Sequence, residues 1–285
     1  MNKYEMPQFN ISEIKGINIF VFGIGGGSDV VGAFGFASLL KKSNPNGTVN
    51  FGLCVSKKEN YSGFKKINHS LFQRDDLIGS IKNSHTSLKL IQEMADFDGD
   101  LPNPFLISRL PKYDKVSSKY GLNDYYEILK SDFSIALNYI NPDVIVAIDL
   151  GGDSLTCGIE NENSFDRSGL RALKQVGKPF IYIVFGVGCD GESTVDMIEN
   201  SLEKEYEAKS LLGEFDLKEV IRLTRKMSKT ILENDRTPNI IADAISSYEN
   251  SEDRLITIPR HRKPQIPLSW ITKGVVFDGL KLSIE

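Results

Sequence analysis

Three segments of the sequence share one grammar: an apolar strand-like run, broken by a glycine-rich loop that carries an acid. They run from Asn18 to Asp29, from Val144 to Asp153 and from Phe180 to Glu192. Continuous runs rich in Ile and Val fit strands buried on both faces, as in a parallel sheet. In such a sheet the loops after the strands leave from one edge, where α/β proteins form their ligand crevices. The pattern therefore predicts that Asp29, Asp149, Asp153, Asp190 and Glu192 gather around one cleft.

The rest of the chain alternates in the same way. Further strands are predicted over 48–55, 105–108, 254–258 and 274–277, beside those at 17–23, 143–149 and 180–187. Helices are predicted from Asp29 to Leu40, over 84–95, over 123–140 and over 166–176. Others run from Ser193 or Thr194 to Ala208, over 216–232 and over 238–248. Asn123 suits an N-cap, and Asn141-Pro142 stops the helix that it opens. Alternating strands and helices give an α/β fold: a mostly parallel, Rossmann-like sheet with helices on both faces, and residues 143–149 at its centre. The 285 residues fit a single domain, 1–285. Within it, residues 56–82 turn polar and basic and read as a lid or cap insertion, or equally as a plain surface excursion.

Composition narrows the function classes. A net charge of −4 and a pI near 5.6 argue against nucleic-acid binding through phosphate neutralisation. No 18-residue apolar stretch is present, so no membrane-spanning helix is expected. The first residues lack the apolar core of a secretion signal, which leads to the expectation of a cytoplasmic protein. Cys54, Cys157 and Cys189 form no CxxC pair, and reduced, small buried side chains explain them best. Only three histidines occur, too few and too scattered for a His-rich zinc site or a convincing Ser-His-Asp triad.

The three loops carry what chemistry can be read. In the first, Gly25, Gly26, Gly27 and Ser28 precede Asp29, with Ser28 where a dinucleotide fingerprint has its third glycine, and with no Walker lysine. Backbone N–H groups at a helix start attract anions, but Asp29 sits at that terminus and supplies its own charge as a cap. In the second loop Gly151 and Gly152 separate Asp149 from Asp153, with Ser154 following. Two carboxylates at that spacing can share Mg²⁺ or Mn²⁺, hold ribose hydroxyls, or divide acid and base roles; a turn bonding its own backbone is the plainer alternative. Asp149 ends a wholly apolar strand, so its charge needs a partner to offset desolvation. In the third loop Gly186 and Gly188 lead to Asp190 and Glu192, which also suit simple turn and cap roles. Glu160, Glu162 and Asp166 read mainly as solvated, and the basic run Arg260 to Lys263 as an exposed face that could greet a phosphate.

These motifs resemble those of a family known as domain of unknown function 1152. Its Gly-x-Gly-Gly-Gly-x-Asp-Val-Val-Gly-Ala is matched by Gly23 to Ala33, and its Asp-x-Gly-Gly-Asp-Ser by Asp149 to Ser154. A following Gly-x-Glu corresponds to Gly158 to Glu160, and the later Gly-x-Gly-x-Asp-Gly-Glu to Gly186 to Glu192. The sequence departs from the pattern at Ser28 and over Asn163 to Ser168. The resemblance implies a site at these loops and no particular reaction.

The leading expectation is an enzyme acting on a small ribosyl- or phosphoryl-containing metabolite, a hydrolase or transferase. Asp29, Asp149 and Asp153 are its candidate catalytic acids, with Asp149 and Asp153 also the candidate ligands of a divalent cation. Gly25, Gly26, Gly27, Ser28, Gly151, Gly152, Ser154, Gly186, Gly188, Asp190 and Glu192 are the candidate ligand contacts. The expected partner is a small molecule, with a homo-oligomer left open. The alternatives are a nucleotide-sensing module without turnover and, more weakly, nicotinamide-dependent redox chemistry.

Overall fold

In a computed structural model of the protein, the structure describes residues 6–59, 61, 63–75, 101–159, 163–248 and 254–284. Its strands are β1 (Asn18–Gly23), β2 (Thr48–Ser56), β3 (Phe64–Lys66), β4 (Leu71–Arg74), β5 (Phe105–Arg109), β6 (Val144–Leu150) and β7 (Phe180–Phe185). β8 (Leu211–Asp216), β9 (Leu255–Thr257), β10 (Gln265–Pro267) and β11 (Lys273–Asp278) follow. Nine of them form one sheet in the order β3-β4-β5-β2-β1-β6-β7-β11-β8. β5, β2, β1, β6 and β7 are parallel, while β4, β3, β11 and β8 are antiparallel additions at the two sides. β1 is the middle strand and β6 its neighbour. From β1 the chain moves outward to β2 and β5, then returns to the other side of β1 for β6 and β7. The switch in direction therefore lies between β1 and β6, where the ends of parallel strands open a crevice.

The helices are α1 (Asp29–Ser43), α2 (Leu122–Ile140), α3 (Asp153–Thr156), α4 (Phe165–Val176), α5 (Val195–Glu207), α6 (Lys218–Ile231), α7 (Thr237–Tyr248) and α8 (Leu268–Ile271). Strand periodicity assigns their sides. Ile148, Leu150 and Phe185 face Gly32 of α1, whose missing Cβ would stand 2.5 Å from Leu150 Cδ1. On the opposite face Phe22 packs on Phe133 of α2, ring centroids 6.1 Å apart. Gly35 faces Val220 and Thr224 of α6 instead of the sheet. The two glycines thus let α1 lie between sheet and α6, and 11 of its 15 residues are buried.

Several sequence expectations change. Leu211–Asp216 is a strand that the periodicity did not announce. Its buried residues alternate with partly or fully exposed ones, and Gly213 breaks the apolar pattern. Among the described residues, 254–258 do not extend the main sheet: β9 pairs with β10, antiparallel. Residues 273–278 enter the sheet antiparallel. Of the basic segment, β3 and β4 continue the sheet edge, and Lys57 pairs with buried Asp132 of α2 at 2.9 Å. Residues 76–82 of that segment, and the helix expected over 84–95, lie outside the described residues. No described helix is long and apolar enough to cross a membrane.

Candidate functional site

The loops after β1, β6 and β7 meet at the switch point, and their glycines turn out to lie under each other's acids. An added Cβ at Gly25 would fall on the carboxylate of Asp166, and one at Gly151 on that of Asp190. At Gly158 it would stand 2.8 Å from Glu192 Oε2 and 3.0 Å from Asp153 Cβ. A side chain at any of these positions would push an acid out of the cluster. Gly151 carries a second constraint, since its φ of 107° is one that L side chains rarely adopt.

Asp29 opens α1 after Ser28, but it does not cap its own helix. Oδ2 accepts the Gly25 N–H at 3.0 Å and Oδ1 the Leu150 N–H at 3.2 Å, so the carboxyl joins the first loop to the end of β6. The expectation of a helix cap is corrected accordingly. Burial pushes this carboxyl well above the ordinary carboxylate range, and Asp166 and Asp149 push it further. The Leu150 and Gly25 N–H groups pull the other way.

Because Ile148 and Leu150 face α1, Asp149 between them must point to the other face. There it is fully buried, and its own loop receives it. Oδ1 accepts the Gly152 N–H at 3.3 Å; Oδ2 accepts the Ser154 N–H at 3.3 Å, the Tyr182 hydroxyl at 2.7 Å and the Ser154 hydroxyl. These donors answer the desolvation that the sequence raised. Burial nonetheless lifts the carboxyl above its usual range against the donors' pull.

Asp153 and Asp190 are placed differently. Asp153 is half-buried at the start of α3 and accepts no hydrogen bond from the described residues. Burial raises it well above its usual range, and Asp166, Asp149, Asp190 and Glu192 add repulsion. Asp190 is 5% exposed: Oδ1 accepts the Glu192 N–H at 2.9 Å, while Oδ2 has no hydrogen-bond partner among the described residues. Burial pushes its carboxyl up to about 7. Interacting carboxyls of this kind hold protons jointly. A group of carboxyls raised in this way suits proton transfer in either direction.

The remaining predicted contacts divide. Gly26, Gly27 and Ser28 are half-exposed, and a Cβ added at Gly26 or Gly27 would meet nothing within 4 Å among the described residues. Gly152 begins α3, and buried Ser154 belongs to the Asp149 network. Gly186 faces Ile241 of α7, and Gly188 faces Ile198 and Ile266, so both pack away from the acids. Glu160 and Glu162 lie outside the described residues. Among the described residues no three His, Cys, Asp or Glu side chains are grouped so as to hold a metal ion. Cys54 and Cys189 are buried, and burial pushes the Cys54 thiol up to about 12.

Two further residues belong to the site against or beyond the sequence expectation. Asp166, which reads from sequence mainly as solvated, sits over Gly25 and acts on both Asp29 and Asp153. Arg109 is one that sequence reasoning misses. It is fully buried, donates from Nη2 to the carbonyl of Phe165 and at 3.4 Å to that of Ile24, and lies 3.5 Å over the Phe165 ring. It thereby ties the first loop to the start of α4. A charge ending an apolar strand run is its signal, the same signal that singles out Asp149.

The model of a family described as Protein of unknown function (DUF1152) matches residues 115–238. That stretch holds the second and third loops together with Asp166, so the likeness read from the loop motifs holds for the part of the chain that carries most of the acids. A comparison with curated proteins finds none that matches the chain.

Proposed function

We propose that the protein is an enzyme acting on a small ribosyl- or phosphoryl-bearing metabolite, a nucleotide or sugar phosphate, as a hydrolase or transferase. The observation that carries this reading is Asp190, a buried carboxyl with one oxygen unpartnered among the described residues, next to the half-buried Asp153. Asp190 and Asp153 divide the two proton transfers, one carboxyl giving a proton to a leaving oxygen and the other taking one from water or an acceptor hydroxyl. Asp29 and Asp149 hold the loops in place, since their oxygens are already engaged. The backbone at Gly26 and Ser28 takes the ligand's anionic end. Mg²⁺ or Mn²⁺, where used, takes one or two protein carboxylates and completes its shell from phosphate and water. Three free cysteines suit a reducing compartment, and we place the protein in the cytoplasm.

One observation favours a nucleotide-sensing module without turnover. Asp149 spends its oxygens on its own loop and on Tyr182. A screen of nucleotides and sugar phosphates, with and without Mg²⁺ or Mn²⁺, separates the readings by following melting temperature and product together. Product formation supports the enzyme, and a melting shift without product supports the sensor. No shift with any ribosyl or phosphoryl compound contradicts both.

A further inference from the structure

The basic run Arg260 to Lys263 is largely exposed, as the sequence suggests, and it lies against the third loop. It forms the turn between β9 and β10, closed by the Ile258 N–H to the Pro264 carbonyl and the Lys263 N–H to the Arg260 carbonyl, each 2.9 Å. The turn is locked to the third loop. Arg262 N–H donates to the Gly191 carbonyl at 3.0 Å, and Gly191 has no room for a Cβ against the Arg260 carbonyl. His261 and Lys263 adopt φ of 47° and 50°, a conformation costly for side chains of their kind. The turn brings two basic side chains together, with Arg260 Nη2 3.4 Å from His261 Nε2. His261 Nε2 in turn lies 3.5 Å from Glu192 Oε1, whose other oxygen faces Gly158. A guanidinium and an imidazole are thus held side by side at the rim of an acidic cleft, with one carboxylate as their neighbour.

We infer that this turn is the seat for the ligand's phosphate group, with Arg260 and His261 as its contacts and Glu192 as the internal anion that a phosphate displaces. The inference rests on the reading of the cleft as a nucleotide or sugar-phosphate site, and it adds the wall that recognises the phosphate. Guanidinium and imidazole N–H donors suit phosphate oxygens, and a carboxylate in the same place competes with them.

The test is titration calorimetry at low salt with ribose 5-phosphate, ribose and inorganic phosphate, on the native protein, Arg260→Gln and Glu192→Gln. Native protein should bind ribose 5-phosphate more tightly than ribose. Arg260→Gln should weaken ribose 5-phosphate about tenfold, the loss of one charged hydrogen bond, and leave ribose unchanged. Glu192→Gln should tighten it roughly threefold, as expected when a partly exposed competing charge is removed. A merely structural role for Glu192 gives no tightening. Inorganic phosphate should follow the same order more weakly, which assigns the effect to the phosphate group. Equal affinity of native protein and Arg260→Gln overturns the inference, as does weakening in Glu192→Gln. Equal binding of ribose and its phosphate by native protein overturns the seat and leaves the sugar site standing. Inorganic phosphate binding with the expected variant order, but no binding of either sugar, supports the seat and removes the sugar reading. No binding of any of the three overturns it.

Discussion

Substituting Asp190 by Asn tests whether the cluster stores protons, because the effect on stability should depend on pH. The folded protein raises this carboxyl from an ordinary 3.8 to about 7. A rise of that size corresponds to roughly 4 kcal/mol of difference between the protonated and ionised forms. The sign follows from linkage. The folded state holds the proton more tightly than the unfolded chain, so the contribution is fully present below pH 4 and lost as pH rises through 7. Asn keeps the shape, still accepts the Glu192 N–H through Oδ1, and cannot ionise. Asp190→Asn should therefore match the native protein near pH 4 and exceed it by up to about 4 kcal/mol at pH 8. Asp149 and Glu192, which help raise Asp190, share the released repulsion and make about 2 kcal/mol a sensible lower bound. Urea unfolding followed by circular dichroism at pH 4, 6 and 8 measures the difference directly. A gap between native and variant that stays constant across that range refutes the reasoning. The gain in stability should accompany loss of turnover, since one of the two proton-transferring carboxyls is gone.

Three further substitutions probe the rest of the cluster. Gly25→Ala drives a methyl into the Asp166 carboxylate and should cost about 1–3 kcal/mol, read as a lower melting temperature together with weakened ligand binding. Tyr182→Phe removes the 2.7 Å donor to Asp149 and should cost about 1–3 kcal/mol in urea unfolding at neutral pH; no change would mean that Asp149 does not need it. Asp153→Asn should leave the circular dichroism spectrum intact and abolish product formation, whereas retained turnover would remove Asp153 from the mechanism.

The parallel heart of the fold is legible in the sequence because burial on both faces leaves an unbroken apolar signature. β1, β6 and β7 lie within a few residues of their expected places for that reason. The antiparallel additions are less visible, since Phe64–Lys66 is short and both it and Leu211–Asp216 are partly exposed and resemble ordinary surface chain. The convergence of the three acidic loops is legible as a consequence of parallel order. What each acid does is not, because it depends on partners distant in sequence. Asp29 meets Leu150, Asp149 meets Tyr182, and Gly25 meets Asp166. Likewise the basic turn at 260–263 cannot be tied to Gly191 and Glu192 from sequence, since nothing local announces that contact.

The central claim is that the glycine-acid loops after β1, β6 and β7 form one ligand site. Crystals soaked in ribose 5-phosphate with Mn²⁺ test it most directly, because the ion's anomalous signal and the sugar's density report position independently. The account predicts the sugar hydroxyls within hydrogen-bond distance of Asp153 or Asp190, and the ligand lying between those acids and the backbone of Gly26 to Ser28. Density bound elsewhere on the protein, touching none of the three loops, would contradict it.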